Sequence, residues 1–176
     1  QNSDGQVTVA DCNPCGQTLS DIQPIWEAGK QLALKDSTTR TLLTWVDSDH
    51  DGVVDSGEQL AFTTANEPTL RPYLRATSSA EGTKIINFVR GCDVGTCAEQ
   101  ATTRDRRLQV PAGSGSLKVW KLGDVIHSTP TVVAGPKDRH DAIYGDQSYA
   151  AFLQKWYKRR QVAYVGANDG MLHAFN

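Results

Sequence analysis

The 176-residue chain has no run approaching the roughly 18 apolar residues that a membrane-spanning helix requires. Its first residues, QNSDGQ, carry neither a basic n-region nor an apolar h-region, as expected of a mature or processed chain. There is no excess of either charge: 18 basic against 20 acidic residues leave a net charge of -2. With a pI near 6.1, nothing argues for nucleic acid or an anionic membrane surface as the main partner. Only four cysteines, one methionine and 7% aromatic residues are present, so neither a disulfide-dense scaffold nor a methionine-rich surface is expected. What remains, 39% hydrophobic and 22% charged residues, is the composition of a folded protein of one domain, or of one small domain and part of another.

The acids are crowded. Asp47, Asp49, Asp51, Asp55 and Glu58 fall within twelve positions that hold no lysine or arginine. With those five set aside, 15 acidic residues face 18 basic ones, so the slight acidity of the chain comes from this one stretch. Its spacing puts oxygen-bearing side chains at positions 1, 3, 5 and 9, glycine (Gly52) at 6 and glutamate at 12. Ca2+ takes six to eight oxygens. The carboxylates of Asp47, Asp49 and Asp51, the carbonyl of Val53, a water held by Asp55 and a bidentate Glu58 would complete its shell. Mg2+ fits less well, because its small octahedral shell disfavours a bidentate carboxylate. A solvated acidic turn is the bland alternative, but the full twelve-position pattern is more specific than a short motif. The preceding residues, Thr38 to Val46, are β-branched and aromatic and predict a strand where an EF-hand has its entering helix. A strand-loop site of this kind staples structure, since a sensor works by re-angling two helices. His50 is expected to point to solvent.

The cysteines form two close pairs, Cys12 with Cys15 and Cys92 with Cys97. Covalent haem would need histidine at position 16, where Gly16 stands. A four-thiolate zinc site is possible in principle, and a redox CxxC lacks its βαβ context. Two local disulfides in an extracytoplasmic protein are favoured, with cross-pairing as the alternative.

Along the chain, residues 1–20 read as an irregular lead-in and residues 21–97 as a helix and strand segment carrying the acidic loop and a disulfide loop. Residues 98–116 read as a polar linker and 117–176 as β-rich. Ser20 or Asp21 would cap a helix from about Ile22 to Lys35, and Ser78 or Ser79 one through Val89, stopped by Gly91. Arg104, Arg106 and Arg107 read as a solvated charge run. Strands are expected at Leu117–Val119 and Thr131–Ala134, and a helix capped by Asp146 runs through Trp156. Val162–Val165 and Met171–Phe175 flank Gly166-Ala-Asn-Asp-Gly170, a hairpin signal in which Asn168 and Gly170 are expected to take the positive φ. His127, beside Ser128, and His173 are read as hydrogen-bonded core residues, and no catalytic or cofactor-binding residue is assigned.

Five segments carry a family resemblance: Trp26–Ala33, Ile86–Gly91, Trp120–Pro130, Ile143–Phe152 and Tyr164–Asn176. In these the chain resembles the PilY/PilC family of type IV pilus tip proteins, with the strings GDVIHSTP and YVGANDGMLHAF the most distinctive. The resemblance implies a mixed α and β fold: the start of the family's C-terminal β-propeller and the segment before it. It also implies a non-enzymatic role in pilus biogenesis and surface adhesion, and a place at the pilus tip on the bacterial surface after passage through the periplasm. Minor pilins, the remainder of the propeller and a host or abiotic surface ligand are the partners implied. The family's calcium-dependent retraction loop lies in the rest of the propeller, so the Asp47–Glu58 assignment rests on its own spacing. The last hairpin also looks like a blade of quinone-dependent dehydrogenase propellers, which makes a fragment of such an enzyme the alternative.

Overall fold

A computed structural model describes residues 26–92 and 103–176. Cys12, Cys15 and Cys97 lie outside these. Cys92 is buried and is not a free thiol. The fold is mixed α and β, with three small antiparallel sheets. Among the described residues no helix is long and apolar enough to cross a membrane.

The first helix, α1, spans Ala28–Leu34, with Trp26 and Glu27 ahead of it; the expected start at Ile22 and the cap at Ser20 or Asp21 lie outside the described residues. Strand β1 is confined to Leu43–Trp45, because Asp36 draws the chain before it into a turn: its Oδ1 accepts the Thr38 amide at 2.7 Å and its carbonyl the Thr39 amide at 3.2 Å. Strand β2, Gln59–Ala61, pairs with β1 in the register Leu43 to Ala61, Thr44 to Leu60 and Trp45 to Gln59. A short helix α2, Glu67–Leu70, precedes α3, Ser79–Arg90. Both ends of α3 follow local chemistry. Ser78 Oγ accepts the Glu81 amide at 3.2 Å, while Glu81 Oε2 accepts the Thr77 amide at 2.7 Å. At the other end Gly91 takes φ +79°, with Cys92 N–H donating to the Asn87 carbonyl and Gly91 N–H to that of Phe88. This is the Schellman arrangement, which needs a residue at ease with positive φ.

Val46, Leu70 and Ile86 make the core of this part, with Leu60, Phe62 and Leu74 packed against it. Around it, cations close the helix ends. Arg40 donates to the carbonyls of Val89 (3.2 Å) and Arg90 (2.7 Å), and Lys121 to those of Ala33 (3.0 Å) and Lys35 (2.9 Å). Arg90 itself gathers the carbonyls of Phe62, Ser37 and Arg40. Each satisfies carbonyls that a helix or turn leaves without a backbone donor. Burial, with Arg90 close by, pulls Arg40 down to about 10.

The segment read as linker contributes a strand: β3, Arg107–Gln109, pairs with β4, Leu117–Val119. Its arginines are not all solvated. Arg106 stands 3.9 Å over the Phe88 ring, and Arg107 pairs with Asp105 at 2.7 Å. Strand β5, Thr131–Val133, joins β6, Val162–Gly166, and β7, Leu172–Phe175, in a three-stranded sheet of order β5-β6-β7. Between β5 and β6 lie α4, His140–Tyr144, and α5, Gln147–Trp156, the latter capped as expected by Asp146.

In the β6–β7 turn only Gly170 takes positive φ, +78°. Asn168 does not, and its amide donates to the Asp124 carbonyl at 2.9 Å. Asp169 accepts from Gly123 N (2.9 Å) and Met171 N (3.0 Å) and lies 2.8 Å from His173 Nε2. His173 is thus the buried, hydrogen-bonded residue expected. His127 is exposed, because the stretch carrying it between β4 and β5 lies outside the sheets.

Candidate metal centre

The twelve acidic-loop residues, Asp47 to Glu58, together with Val46 make the connection of the β1–β2 hairpin, so strands flank the loop on both sides. Val46 N–H donates to the Glu58 carbonyl at 3.0 Å and holds the two ends of the loop together. Inside it, carboxylates take the backbone amides of the turn. Asp47 Oδ2 accepts from Gly52 (3.1 Å), Asp49 Oδ1 from Asp51 (3.3 Å) and Asp51 Oδ1 from Val53 (2.7 Å). Glu58 reaches back across the loop, its Oε1 accepting from Ser48 at 2.6 Å and its Oε2 from Asp55 at 3.1 Å. Gly52 (φ +78°) and His50 (φ +63°) turn the chain through the left-handed region, and His50 is exposed, as expected.

This wrapping brings the predicted side chains together in two overlapping groups. One oxygen each of Asp47, Asp49 and Glu58 lie within 4.8 Å of one another, as do those of Asp49, Asp51 and Asp55. Asp49 belongs to both. Glu58 is buried at 8% exposure, whereas Asp49, Asp51 and Asp55 are exposed. Each Glu58 oxygen that accepts an amide keeps a second lone pair. Asp47 Oδ1 is buried and has no hydrogen-bond partner. A buried carboxylate oxygen without a donor is costly, and a cation on the inner side of the loop would satisfy it. The donor set is entirely oxygen, which suits a hard divalent cation and not a soft metal.

Other polar residues were not signalled as a group by the sequence. Glu67, only 2% exposed, forms a two-pronged pair with Arg71 (2.8 and 2.9 Å) and accepts from Ser79 Oγ at 2.9 Å. The i, i+4 spacing of Glu67 and Arg71 was its one signal.

No family model matches the chain, and no solved structure does. Two curated proteins are similar to it. The type IV pilus biogenesis factor PilY1 homolog of Xylella fastidiosa is 34% identical in an alignment of 131 residues that covers 68% of this chain and 9% of that protein. The type IV pilus biogenesis factor PilY1 of Pseudomonas aeruginosa is 42% identical over 59 residues, 31% of this chain and 5% of that one. The chain therefore spans less than a tenth of the length of either relative. The resemblance read from the five segments and these two alignments agree: the chain belongs to the PilY1 family.

Proposed function

We propose that this chain is a non-enzymatic, calcium-binding part of a type IV pilus biogenesis factor. It serves pilus assembly and adhesion at the pilus tip, on the bacterial surface, after passage through the periplasm. The names of its relatives support the pilus role. The observation that carries the calcium reading is the gathering of Asp47, Asp49 and Glu58, and of Asp49, Asp51 and Asp55, into two carboxylate groups that share Asp49, beside a buried Asp47 Oδ1 that has no hydrogen-bond partner. Val53 would add its carbonyl. An ion there ties β1 to β2 and offsets two of the five crowded negative charges, so its work is to hold the hairpin shut.

Residues 117–176 belong, on this reading, to the first strands of a β-propeller whose remainder completes the sheet beside β7. Minor pilins are the neighbours in the assembly. Cys92 pairs with Cys97 and Cys12 with Cys15, in keeping with an oxidising compartment.

Titration calorimetry on the full-length protein with Ca2+ and Mg2+ tests the central claim. Binding of one Ca2+ in this loop, with Mg2+ weaker, is expected, and Glu58→Ala should weaken it severely. Unchanged calcium affinity in that variant would remove the proposed shell.

A further inference from the structure

Beyond the acidic loop, the least balanced patch of charge lies at the end of α5. Lys155, Lys158, Arg159 and Arg160 stand within six residues that include no acid. Trp156 and Tyr157 are set among them, 37% and 57% exposed. The helix accounts for part of this. Lys155 lies in the last turn of α5, where a cation complements the helix dipole, and Arg159 donates to the Ala134 carbonyl. Lys158 and Arg160 lie beyond the helix end and serve neither purpose. No ion pair engages Lys155, Lys158 or Arg160 among the described residues. Lys158 Nζ stands 5.3 Å from the centre of the Tyr157 ring and Lys155 Nζ 5.1 Å from that of Trp156, so two adjacent aromatic rings are flanked by a cation on each side.

The backbone beneath this turn is fixed. A Cβ on Gly135 would come within 2.4 Å of the Tyr157 carbonyl oxygen and 3.2 Å of that of Trp156, so the turn sits directly on the chain leaving β5. Arg159 adds a second tie to the same stretch, through Ala134. The three remaining cations are therefore displayed from a rigid seat, which lowers the entropy lost when a ligand orders them.

We propose that Lys155, Trp156, Tyr157, Lys158 and Arg160 form a docking surface for an anionic polysaccharide, a chain of sulfated or carboxylated sugar rings. The apolar face of a pyranose ring stacks on an exposed aromatic ring, and its sulfates or carboxylates meet the flanking ammonium and guanidinium groups. Short lysine- and arginine-rich segments are suited to such polyanions. A nucleic acid would call for a basic face wider than one turn, which a chain of net charge -2 does not supply. A bilayer would call for a broad apolar face, whereas here the two rings, with Phe152 exposed one turn back on α5, are bounded by the cations on the C-terminal side. The proposal gives the adhesive part of the function above a site and a ligand chemistry. It rests on that reading only for an extracellular setting, where glycans are the polyanions met.

The test uses the full-length protein in calcium, with immobilised heparin as the probe at about 0.15 M salt. The triple variant Lys155→Ala, Lys158→Ala, Arg160→Ala should bind heparin at least about tenfold more weakly. Lys30→Ala, Lys84→Ala, Lys118→Ala, with the same change in net charge, should stay within about twofold of the parent. Tyr157→Ala, which keeps every charge, should lose several-fold on heparin and nothing on a DNA duplex. Calcium affinity should be unchanged in the first triple variant, so that failure of this surface is distinguishable from failure of the metal reading. Equal heparin binding by the two triple variants overturns the proposal. So does parent binding to a DNA duplex or to anionic phosphatidylserine vesicles as tight as to heparin.

Discussion

The indole of Trp120 lies directly on the backbone of Gly29: a Cβ built on that glycine would come within 2.3 Å of the ring. Gly29 is buried in the first turn of α1, and Trp120 directly follows β4, so this contact seats the first helix against the strand 91 residues later in the chain. Two effects oppose each other in Gly29→Ala. Alanine favours the helix by about 1 kcal/mol, while forcing a methyl group into a filled space costs about 1–3 kcal/mol. The indole cannot swing aside as a flexible chain end would, so the clash should win. Urea unfolding should show a net loss of about 1 kcal/mol, recovered in part when Trp120→Leu is added. A more stable single variant would show that the contact is looser than described.

The unpartnered Asp47 oxygen predicts a change of sign. With calcium removed by a chelator, Asp47→Asn should leave the fold as stable or slightly more stable, because it removes one of five crowded negative charges. In saturating calcium the same variant should melt lower than its parent, since it has lost a ligand and with it part of the stabilisation that binding confers. Glu58→Gln should behave otherwise. Both Glu58 oxygens accept loop amides, so an amide side chain leaves Ser48 or Asp55 without its acceptor and should cost about 1–3 kcal/mol even without metal. Thermal melts of both variants, with and without calcium, separate the two roles.

Acid should weaken the packing of α2 on α3. The Arg71 guanidinium, aided by Ser79, holds the Glu67 carboxyl below its ordinary value of 4.5. The folded protein then binds this proton less readily than the unfolded chain. The stability due to the charged form is complete above about 4.5 and is lost as pH falls through the lower folded value. The gap in stability between the parent and Glu67→Gln should therefore narrow as the pH falls below about 4.5. A gap that stays constant as acid is added would mean the pair contributes nothing through its charge.

The β6–β7 turn gives a paired test. Gly170→Ala places a side chain at φ +78° and should cost about 1–2 kcal/mol, although the space around it is open. Asn168→Ala should fall within about 0.5 kcal/mol of the parent, because Asn168 has no positive φ and its link to Asp124 is made by the backbone amide. Comparable melting losses in the two would return the strain to Asn168.

What could be read from the sequence was what neighbours in the chain decide. Ser78, Gly91 and Asp146 mark helix ends because capping acts within a turn, and the acidic loop is recognisable because its candidate ligands lie within twelve consecutive residues. The shape of the polar network was not readable. Arg40, Arg90 and Lys121 reach carbonyls 28 to 88 residues away, and nothing local to a lysine tells whether it will end in solvent or against a distant helix. Strand β3 was missed for the same reason: three residues in a polar stretch become a strand only because β4 returns beside them. His127 misled in the opposite direction, since its apolar neighbours Val125 and Ile126 are themselves exposed, at 41% and 64%.

The acidic hairpin loop also ties the behaviour of this region to ionic strength. Repulsion among exposed carboxylates fades as dissolved ions shorten its reach, to about 10 Å at 0.1 M and about 3 Å at 1 M. Brine should thus steady the hairpin when no divalent ion is bound, and at the same time weaken the pull that draws one in. Fresh water should do the reverse, leaving the empty loop under the greatest internal pressure and the ion most tightly held.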